Sequence, residues 1–168
     1  MRGSNDAAQS RVRCVSSGES LNWVAISPTP LHADELSAWA TRPECGAVVT
    51  FCGTARTTST TGHDIHELEY ETGVELAEGR IQEVVAAARA RWPQLVAVAI
   101  HHRIGVVGLQ EPAVVVAVSA PHRREAFEAA QFCIDAVKST VPMWKREVWR
   151  GGSAWSAEAK DIVNVRDL

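Results

Sequence analysis

The stretch Ala113-Val-Val-Val-Ala-Val-Ser119, together with the Ala120-Pro-His-Arg-Arg124 that follows it, decides the fold. Its first part is rich in β-branched residues and predicts a strand, and Leu95 to Ile104 predicts a second strand joined to it as a hairpin. A helix is predicted directly afterwards over residues 122–139. Its apolar residues recur at helical spacing, and we expect four of them to face the core: Phe127, Ala130, Ile134 and Val137.

Working outward, the remaining patterns predict further strands and helices. Strands are expected over residues 21–26, 45–52, 64–71, 144–149 and 154–156, and helices over residues 31–41 and 74–91. The run Cys45–Cys52 is so apolar that we expect it to be buried on both faces. Residues 53–63, rich in Thr, Ser and Gly, predict a mobile loop that carries Arg56. The order predicts an α+β fold, a mostly antiparallel sheet with helices packed on it.

Length and composition restrict the classes of protein. The chain has 168 residues, 46% of them apolar, and we expect a flexible tail over residues 1–20 and one domain over residues 21–168. The net charge of −3 argues against a general nucleic-acid binder, and no apolar run is long enough to span a membrane. The four cysteines form no CxxC pair, which favours free thiols in a reducing cytoplasm.

The start of the helix over residues 122–139 carries an unusual charge. His122, Arg123 and Arg124 occupy its first turn, where the helix dipole disfavours cations. Basic side chains beside free backbone N–H groups form an anion pocket. The same helix ends near Lys138, and a Pro-aromatic-basic run with Lys145 and Arg146 follows it. These residues predict a site for a small phosphorylated or carboxylated ligand.

Other candidate sites carry less weight. A metal site at His63, His66 and Glu69 is disfavoured, because strand residues three positions apart point to opposite faces. The neighbouring side chains of His101 and His102 also point to opposite faces of their predicted strand, and one of them is expected in the core or an interface. For Cys52 and Cys133 a buried structural role is favoured over a nucleophile, since a reactive thiolate needs exposure and a nearby cation.

The length of the helix raises a geometric problem. About 17 residues at 1.5 Å per residue span about 25 Å, so one chain cannot easily bring both helix ends to one small ligand. Either the lysines serve a second part of the site, or the two groups meet across a dimer interface.

Taken together, six stretches in order resemble the MoaE family, the large catalytic subunit of molybdopterin synthase. They cover roughly residues 20–162, and the last two are the most specific. The stretches are Gly46-Ala-Val-Val-Thr-Phe-Cys-Gly-Thr-Ala-Arg56, Leu68-Glu-Tyr70, Arg91-Trp-Pro93, His101-His-Arg-Ile-Gly105, His122-Arg-Arg-Glu-Ala-Phe127 and Pro142-Met-Trp-Lys-Arg-Glu147.

The resemblance implies a function and an assembly. The family inserts two sulfurs into cyclic pyranopterin monophosphate to make the dithiolene of molybdopterin. The sulfur comes from a small ubiquitin-like subunit whose C-terminal Gly-Gly ends in a thiocarboxylate, so no catalytic cysteine, metal or cofactor is required here. The resemblance also implies an α/β-hammerhead type of fold and a homodimer of large subunits with a small subunit at each end.

The resemblance carries specific roles to this chain. Lys138 and Lys145 are expected to be catalytic, polarising the thiocarboxylate or donating protons, and Arg56, His122, Arg123 and Arg146 to bind substrate. The family's Trp-x-Glu-Ala-Arg motif is offset by one residue here and ends in Lys160, which keeps the charge of arginine but loses its planar fork. A non-catalytic anion-binding or scaffold protein is the alternative that the residues leave open.

Overall fold

The computed structural model describes residues 21–58, 62–156 and 162–168. Its elements follow the order β-α-β-β-α-β-β-β-α-β-β and end in a short 3-10 helix. They are β1 (Leu21–Ser27), α1 (Ala33–Ala40), β2 (Ala47–Thr54), β3 (Ile65–Glu71), α2 (Val74–Arg91), β4 (Ala97–Arg103), β5 (Gly105–Gly108), β6 (Pro112–Ala120), α3 (Arg123–Thr140), β7 (Trp144–Trp149), β8 (Gly152–Trp155) and the 3-10 helix Val165–Asp167. The tail predicted over residues 1–20 lies outside the described residues.

The strands form two four-stranded sheets. The first has the order β1-β4-β6-β2 and the second the order β5-β3-β7-β8. Only the pairing of β1 with β4 is parallel among the described strands. The α+β class with mostly antiparallel pairing is therefore confirmed, although the strands divide between two sheets instead of joining one.

Three clusters of buried side chains hold these layers together. The largest lies between the first sheet and helices α2 and α3, and includes Ile81, Val116 and Cys133. A second lies on the opposite face of the same sheet, under α1. The third joins the sheets, because Ala113 of β6 in the first sheet belongs to the same cluster as Ile65 and Leu68 of β3 in the second. Within the described part of the chain, no helix is long and apolar enough to cross a membrane.

Two expectations about burial are wrong. The strand β2 is an edge strand of the first sheet, and Phe51 and Cys52 are exposed, so the run is not buried on both faces. Its apolar sequence resembles that of a central strand, but position in a sheet depends on which strands pair with it. In α3, Ala130, Ile134 and Val137 are buried as expected, whereas Phe127 is 63% exposed.

The predicted hairpin of β4 and β6 is confirmed, but its connection contains a strand. The register pairs Ala97 with Ser119 and His102 with Val114. Residues 105–108 between them form β5, which pairs with β3 of the second sheet. Gly105 has a φ of 78°, a conformation that side-chain-bearing residues rarely adopt, and it lets the chain leave one sheet for the other. The hairpin thereby fastens the two sheets together beside the cleft described next.

Candidate active site

A cleft of about 920 Å³ opens where the two sheets and the C-terminal end of α3 meet. Its wall includes Gly53 and Thr54 from the end of β2, Tyr70 from β3 and Ile134 from α3. Three of the cations predicted from the sequence also line it: Arg56, Lys138 and Lys145. Residues more than eighty positions apart in the chain thus share one cavity, and their combined charge suits an anionic ligand.

Each of these cations is positioned by a different element. Arg56 follows the end of β2, where the backbone of Ala55 is held by hydrogen bonds with Glu111 and Gln110 at 3.1 and 2.9 Å. Lys138 lies in the last turn of α3, where the negative end of the helix dipole favours a cation. Lys145 is the second residue of β7 and faces the cleft from the second sheet.

Lys145 has a fixed partner in Glu147. The two residues are two positions apart on β7 and therefore point to the same face of the strand. The Nζ atom of Lys145 lies 3.3 Å from Oε1 of Glu147, and Glu147 is only 5% exposed. Taking a carboxylate out of water is costly unless it is paired, so Glu147 ties the ammonium group of Lys145 to one place in the wall.

His102 also lines the cleft, and its proton position is defined. Its Nδ1 atom lies 2.8 Å from the carbonyl oxygen of Arg103, so Nδ1 carries the proton and donates it. Burial lowers the pKa of His102 to about 4, which keeps the imidazole neutral at pH 7. The ring of Tyr70 meets it edge to face at 5.1 Å. The cleft therefore combines cationic side chains with a neutral buried imidazole.

His122 and Arg123 do not reach this cleft within one chain. They lie at the opposite end of α3, which has 18 residues, and a helix of that length spans about 27 Å. Both are exposed, and His122 makes no side-chain capping bond. The neighbouring Arg124 instead pairs with Glu128 at 2.8 Å. The start of α3 therefore presents an exposed imidazole and an exposed guanidinium group at a place separate from the cleft.

The start of α3 is fixed by a close backbone contact. A Cβ atom on Gly46 would come closer than 3.0 Å to the carbonyl oxygen of Pro121, a separation that real Cβ atoms essentially never show. The amide of Gly46 also donates to the carbonyl of Ala120 at 3.1 Å. Only glycine allows this approach, which packs the residue before β2 against the residues before α3.

Arg146 does not line the cleft. Arg146 points to the other face of β7, where it forms an ion pair with Glu69 and lies over the ring of Trp155 at 5.6 Å. Its role toward substrate stays a prediction. Lys160 lies outside the described residues.

The sequence matches a known protein family over most of its length. The family model for the MoaE protein matches residues 26–140. The chain belongs to the MoaE family. Curated relatives include the molybdopterin synthase catalytic subunit of Taeniopygia guttata, 37% identical over 80% of this chain and 86% of that protein. The protein of the same name from Bacillus subtilis is 39% identical over 77% of this chain and 82% of that protein.

The fold of this MoaE-family chain also matches solved structures. The crystal structure of molybdopterin synthase from Staphylococcus aureus superposes with a TM-score of 0.74 at 34% identity, covering 79% of this chain and 96% of the other. The family identified from six sequence stretches is therefore confirmed by both sequence and fold.

The other candidate residues of this MoaE-family chain have structural explanations. Cys52 is exposed, contrary to expectation, and desolvation raises the pKa of its thiol, which disfavours the thiolate. Burial raises the pKa of Cys133 to about 12. His101 is buried against Trp23, and His63 stacks on Trp149 with ring centroids 4.2 Å apart. The three described cysteines are free thiols, as predicted.

The sequence pattern gave no indication that Glu147 and His102 would line the cleft of this MoaE-family chain. Glu147 ends the stretch Pro142–Glu147, and the alternation of β7 places it beside Lys145. The two neighbouring histidines were expected to separate, with one in the core, but nothing in the pattern indicated that His102 would line a cavity. Its position depends on the meeting of β4 with the second sheet.

Proposed function

We propose that this chain is the catalytic subunit of a molybdopterin synthase. In this proposal it transfers sulfur from the thiocarboxylated C-terminus of a small ubiquitin-like subunit to cyclic pyranopterin monophosphate, forming the dithiolene of molybdopterin. The observation that carries the proposal is the convergence of Arg56, Lys138 and Lys145 on one cleft in a chain of the MoaE family. The free thiols fit a reaction in the reducing cytoplasm.

The cations of the cleft have distinct tasks in this proposal. A thiocarboxylate and a phosphate are both anions, and charge-assisted hydrogen bonds to arginine and lysine hold such groups firmly. Arg56 binds the substrate, while Lys138 and Lys145 polarise the thiocarboxylate or donate protons as the C–S bonds form. Glu147 supports Lys145, because its buried carboxylate holds the ammonium group in the wall. The nucleophilic sulfur is carried by the thiocarboxylate of the small subunit.

The mouth of the cleft suits a narrow peptide. Trp144 and Trp155 line it, are 65% and 49% exposed, and meet edge to face with ring centroids 6.4 Å apart. A C-terminal Gly-Gly has no side chains, so it can lie flat between aromatic walls while its thiocarboxylate reaches the lysines. Exposed aromatic residues at a cavity mouth are typical anchors of a protein interface.

In this proposal, the substrate-binding residues at the start of α3 belong to a composite site that is formed by two chains. His122 and Arg123 bind the substrate in the cleft of a second copy of the chain, within a homodimer that carries a small subunit at each end. The proposal rests on the distance between the two ends of α3. Arg146 and Lys160 complete the predicted binding set, with Arg146 acting at the rim beside Trp155.

Replacing Lys138 with alanine tests the proposal. We expect sulfur transfer to be nearly abolished in a single-turnover assay with thiocarboxylated small subunit, while the unfolding transition is unchanged because Lys138 is exposed. Asp135→Ala, an exposed change one turn earlier on α3, is the matched control and should transfer sulfur normally. Turnover of Lys138→Ala at the wild-type rate would rule out the assigned role of Lys138, whereas absence of sulfur transfer by the wild-type chain itself would favour an anion-binding scaffold.

A further inference from the structure

The cleft is graded from charged groups at its mouth to uncharged groups at its inner end. Arg56 and Lys138 are exposed. Leu68, His102 and Val114 line the same cleft and are buried. A ligand that fits this gradient has an anionic end among the cations and an uncharged end among the buried groups, where a few placed polar atoms fix its orientation.

His102 occupies a position that suits an apolar residue. Alternation along β4 puts Val98, Ile100 and His102 on one face of the strand, and the first two belong to the largest core cluster. His102 stands at the end of this row, opposite Val114 of β6. An imidazole loses hydration there that an aliphatic side chain would not have. The polar ring is therefore costly for the fold, which indicates a task in the cleft.

The orientation of this imidazole is fixed through the backbone. Nδ1 of His102 donates to the carbonyl oxygen of Arg103 at 2.8 Å. Arg103 is itself held, because its guanidinium group donates to the carbonyl of Val106 at 3.0 Å and lies 3.7 Å from the carboxylate of Glu111. The ring of Tyr70 meets the imidazole edge to face. These contacts leave the ring one orientation in the wall of the cleft.

The other ring nitrogen is a hydrogen-bond acceptor. A neutral imidazole carries one N–H group, and in His102 that group is Nδ1–H, so Nε2 presents a lone pair. Nε2 accepts no hydrogen bond from residues 21–58, 62–156 and 162–168. Since burial lowers the pKa of His102 to about 4, Nε2 stays unprotonated at pH 7. A ligand group placed beside it must offer an N–H or O–H, because an anion or another acceptor would be repelled.

We propose that His102 is a specificity-determining residue of the cleft, whose Nε2 atom accepts a hydrogen bond from an N–H group of an uncharged nitrogen heterocycle while the cations hold the anionic end of the same ligand. This assignment rests on the proposed function for the identity of the ligand. The bicyclic ring of a pterin carries amide and amino N–H groups, and cyclic pyranopterin monophosphate joins such a ring to a phosphate. A buried acceptor rejects analogues that lack the donor, since it is then left unpaired.

The neighbouring histidine supplies a matched control. His101 is also buried, and burial lowers its pKa to about 4 as well. Its side chain points to the opposite face of β4, where its ring meets that of Trp23 edge to face with centroids 4.5 Å apart. Replacing either histidine with leucine removes a buried imidazole from the same strand. Of the two changes, only His102→Leu removes an acceptor from the wall of the cleft.

Two amide variants separate the roles of the two ring nitrogens. In His102→Gln the side-chain amide reaches about as far as Nε2, so an acceptor toward the ligand is kept. In His102→Asn the shorter amide can keep the bond to the carbonyl of Arg103 but does not reach the position of Nε2. Circular dichroism and urea unfolding of each variant show that it is folded before its binding is measured.

Calorimetry on the full-length chain with two probes tests the inference. Cyclic pyranopterin monophosphate should bind at least about tenfold more weakly to His102→Leu and His102→Asn than to the wild type, and His102→Gln should recover most of that loss. Inorganic phosphate, the anionic part alone, should bind all of these chains equally, because the cations are unchanged. His101→Leu should bind both probes like the wild type. In sulfur transfer, His102→Leu should raise the KM for the pterin and change kcat by less than about twofold.

Four results would overturn the assignment of His102. Wild-type affinity of both His102→Leu and His102→Asn for the pterin would show that no acceptor is needed, as would a His102→Gln chain as weak as His102→Asn. Equal losses for phosphate and pterin would show that the cleft has changed shape. An equal loss in His101→Leu would assign the effect to removal of any buried imidazole. A wild-type chain that binds the pterin but transfers no sulfur would instead refute the proposed function, and the same variants would still decide the role of His102.

Discussion

Replacing Gly46 with alanine should destabilise the protein where β2 meets the start of α3. The added methyl group would lie closer than 3.0 Å to the carbonyl oxygen of Pro121, a backbone atom that cannot rotate away. The backbone must shift to relieve the contact, and overpacking of this kind costs about 1–3 kcal/mol. We therefore expect the free energy of unfolding to fall by about 2 kcal/mol.

The same substitution at Gly79 is the matched control. Gly79 lies inside α2, and a Cβ atom there would meet nothing within 4 Å. Alanine is favoured over glycine inside a helix by about 1 kcal/mol, so Gly79→Ala should stabilise the protein. One chemical change thus has opposite effects at two positions, which excludes a general effect of alanine.

Urea unfolding followed by circular dichroism measures both variants. The midpoint should fall for Gly46→Ala and rise for Gly79→Ala, with unchanged slopes. Because Gly46 positions the residues before His122, Gly46→Ala should also weaken binding of a phosphorylated ligand by the assembled protein. An unfolding free energy for Gly46→Ala equal to that of the wild type would refute the close approach of β2 to the start of α3.

Two further predictions concern charge. Arg123→Ala should weaken binding of the phosphorylated pterin by about 1.5–3 kcal/mol in calorimetry, while binding of the small subunit changes little. The control Arg124→Ala should keep wild-type affinity for the pterin, because Arg124 pairs with Glu128. Equal losses of affinity for both ligands would contradict a dedicated phosphate site. Burial lowers the pKa of His101 and His102 to about 4 from 6.5. Because the pKa values are depressed in the folded state, the unfolded state binds more protons below pH 6.5. The contribution of the two histidines to the free energy of unfolding is therefore complete above pH 6.5 and is lost as pH falls toward 4. At pH 5 the loss is about 2 kcal/mol per histidine. His101→Leu should halve this slope in urea titrations between pH 7 and 5, and an unchanged slope would mean that His101 does not titrate as described.

The secondary structure was largely predictable because helical and alternating patterns are local. The helix α2 has the bounds predicted from its apolar spacing, and the hairpin of β4 and β6 followed from its β-branched runs. The strand β5 was missed because four residues between two strands resemble a turn. The edge position of β2 was also missed, because an apolar run does not reveal how many strands pair with it.

The site was predictable in its members but not in its arrangement. Arg56, Lys138 and Lys145 were identified through the family motifs, whereas their meeting in one cleft depends on long-range pairing of β3 with β7 and on the end of β2. The length of α3 already indicated that His122 and Arg123 could not join them within one chain. Phe127 shows the limit of periodicity, because it lies at helical spacing with the core residues of α3 and is nevertheless exposed.

The central claim, a composite site shared by two chains, is tested most directly by mixing two variants at a substrate concentration so low that the weakened binding of Arg123→Ala leaves it inactive. An Arg123→Ala chain and a Lys138→Ala chain are combined, and subunit exchange is proven with differently tagged chains. Half of the dimers are then mixed, and each mixed dimer keeps one intact site. The account predicts that sulfur transfer recovers to about a quarter of the wild-type level. Mixtures that remain as inactive as both parents despite proven exchange would show that each site lies within one chain.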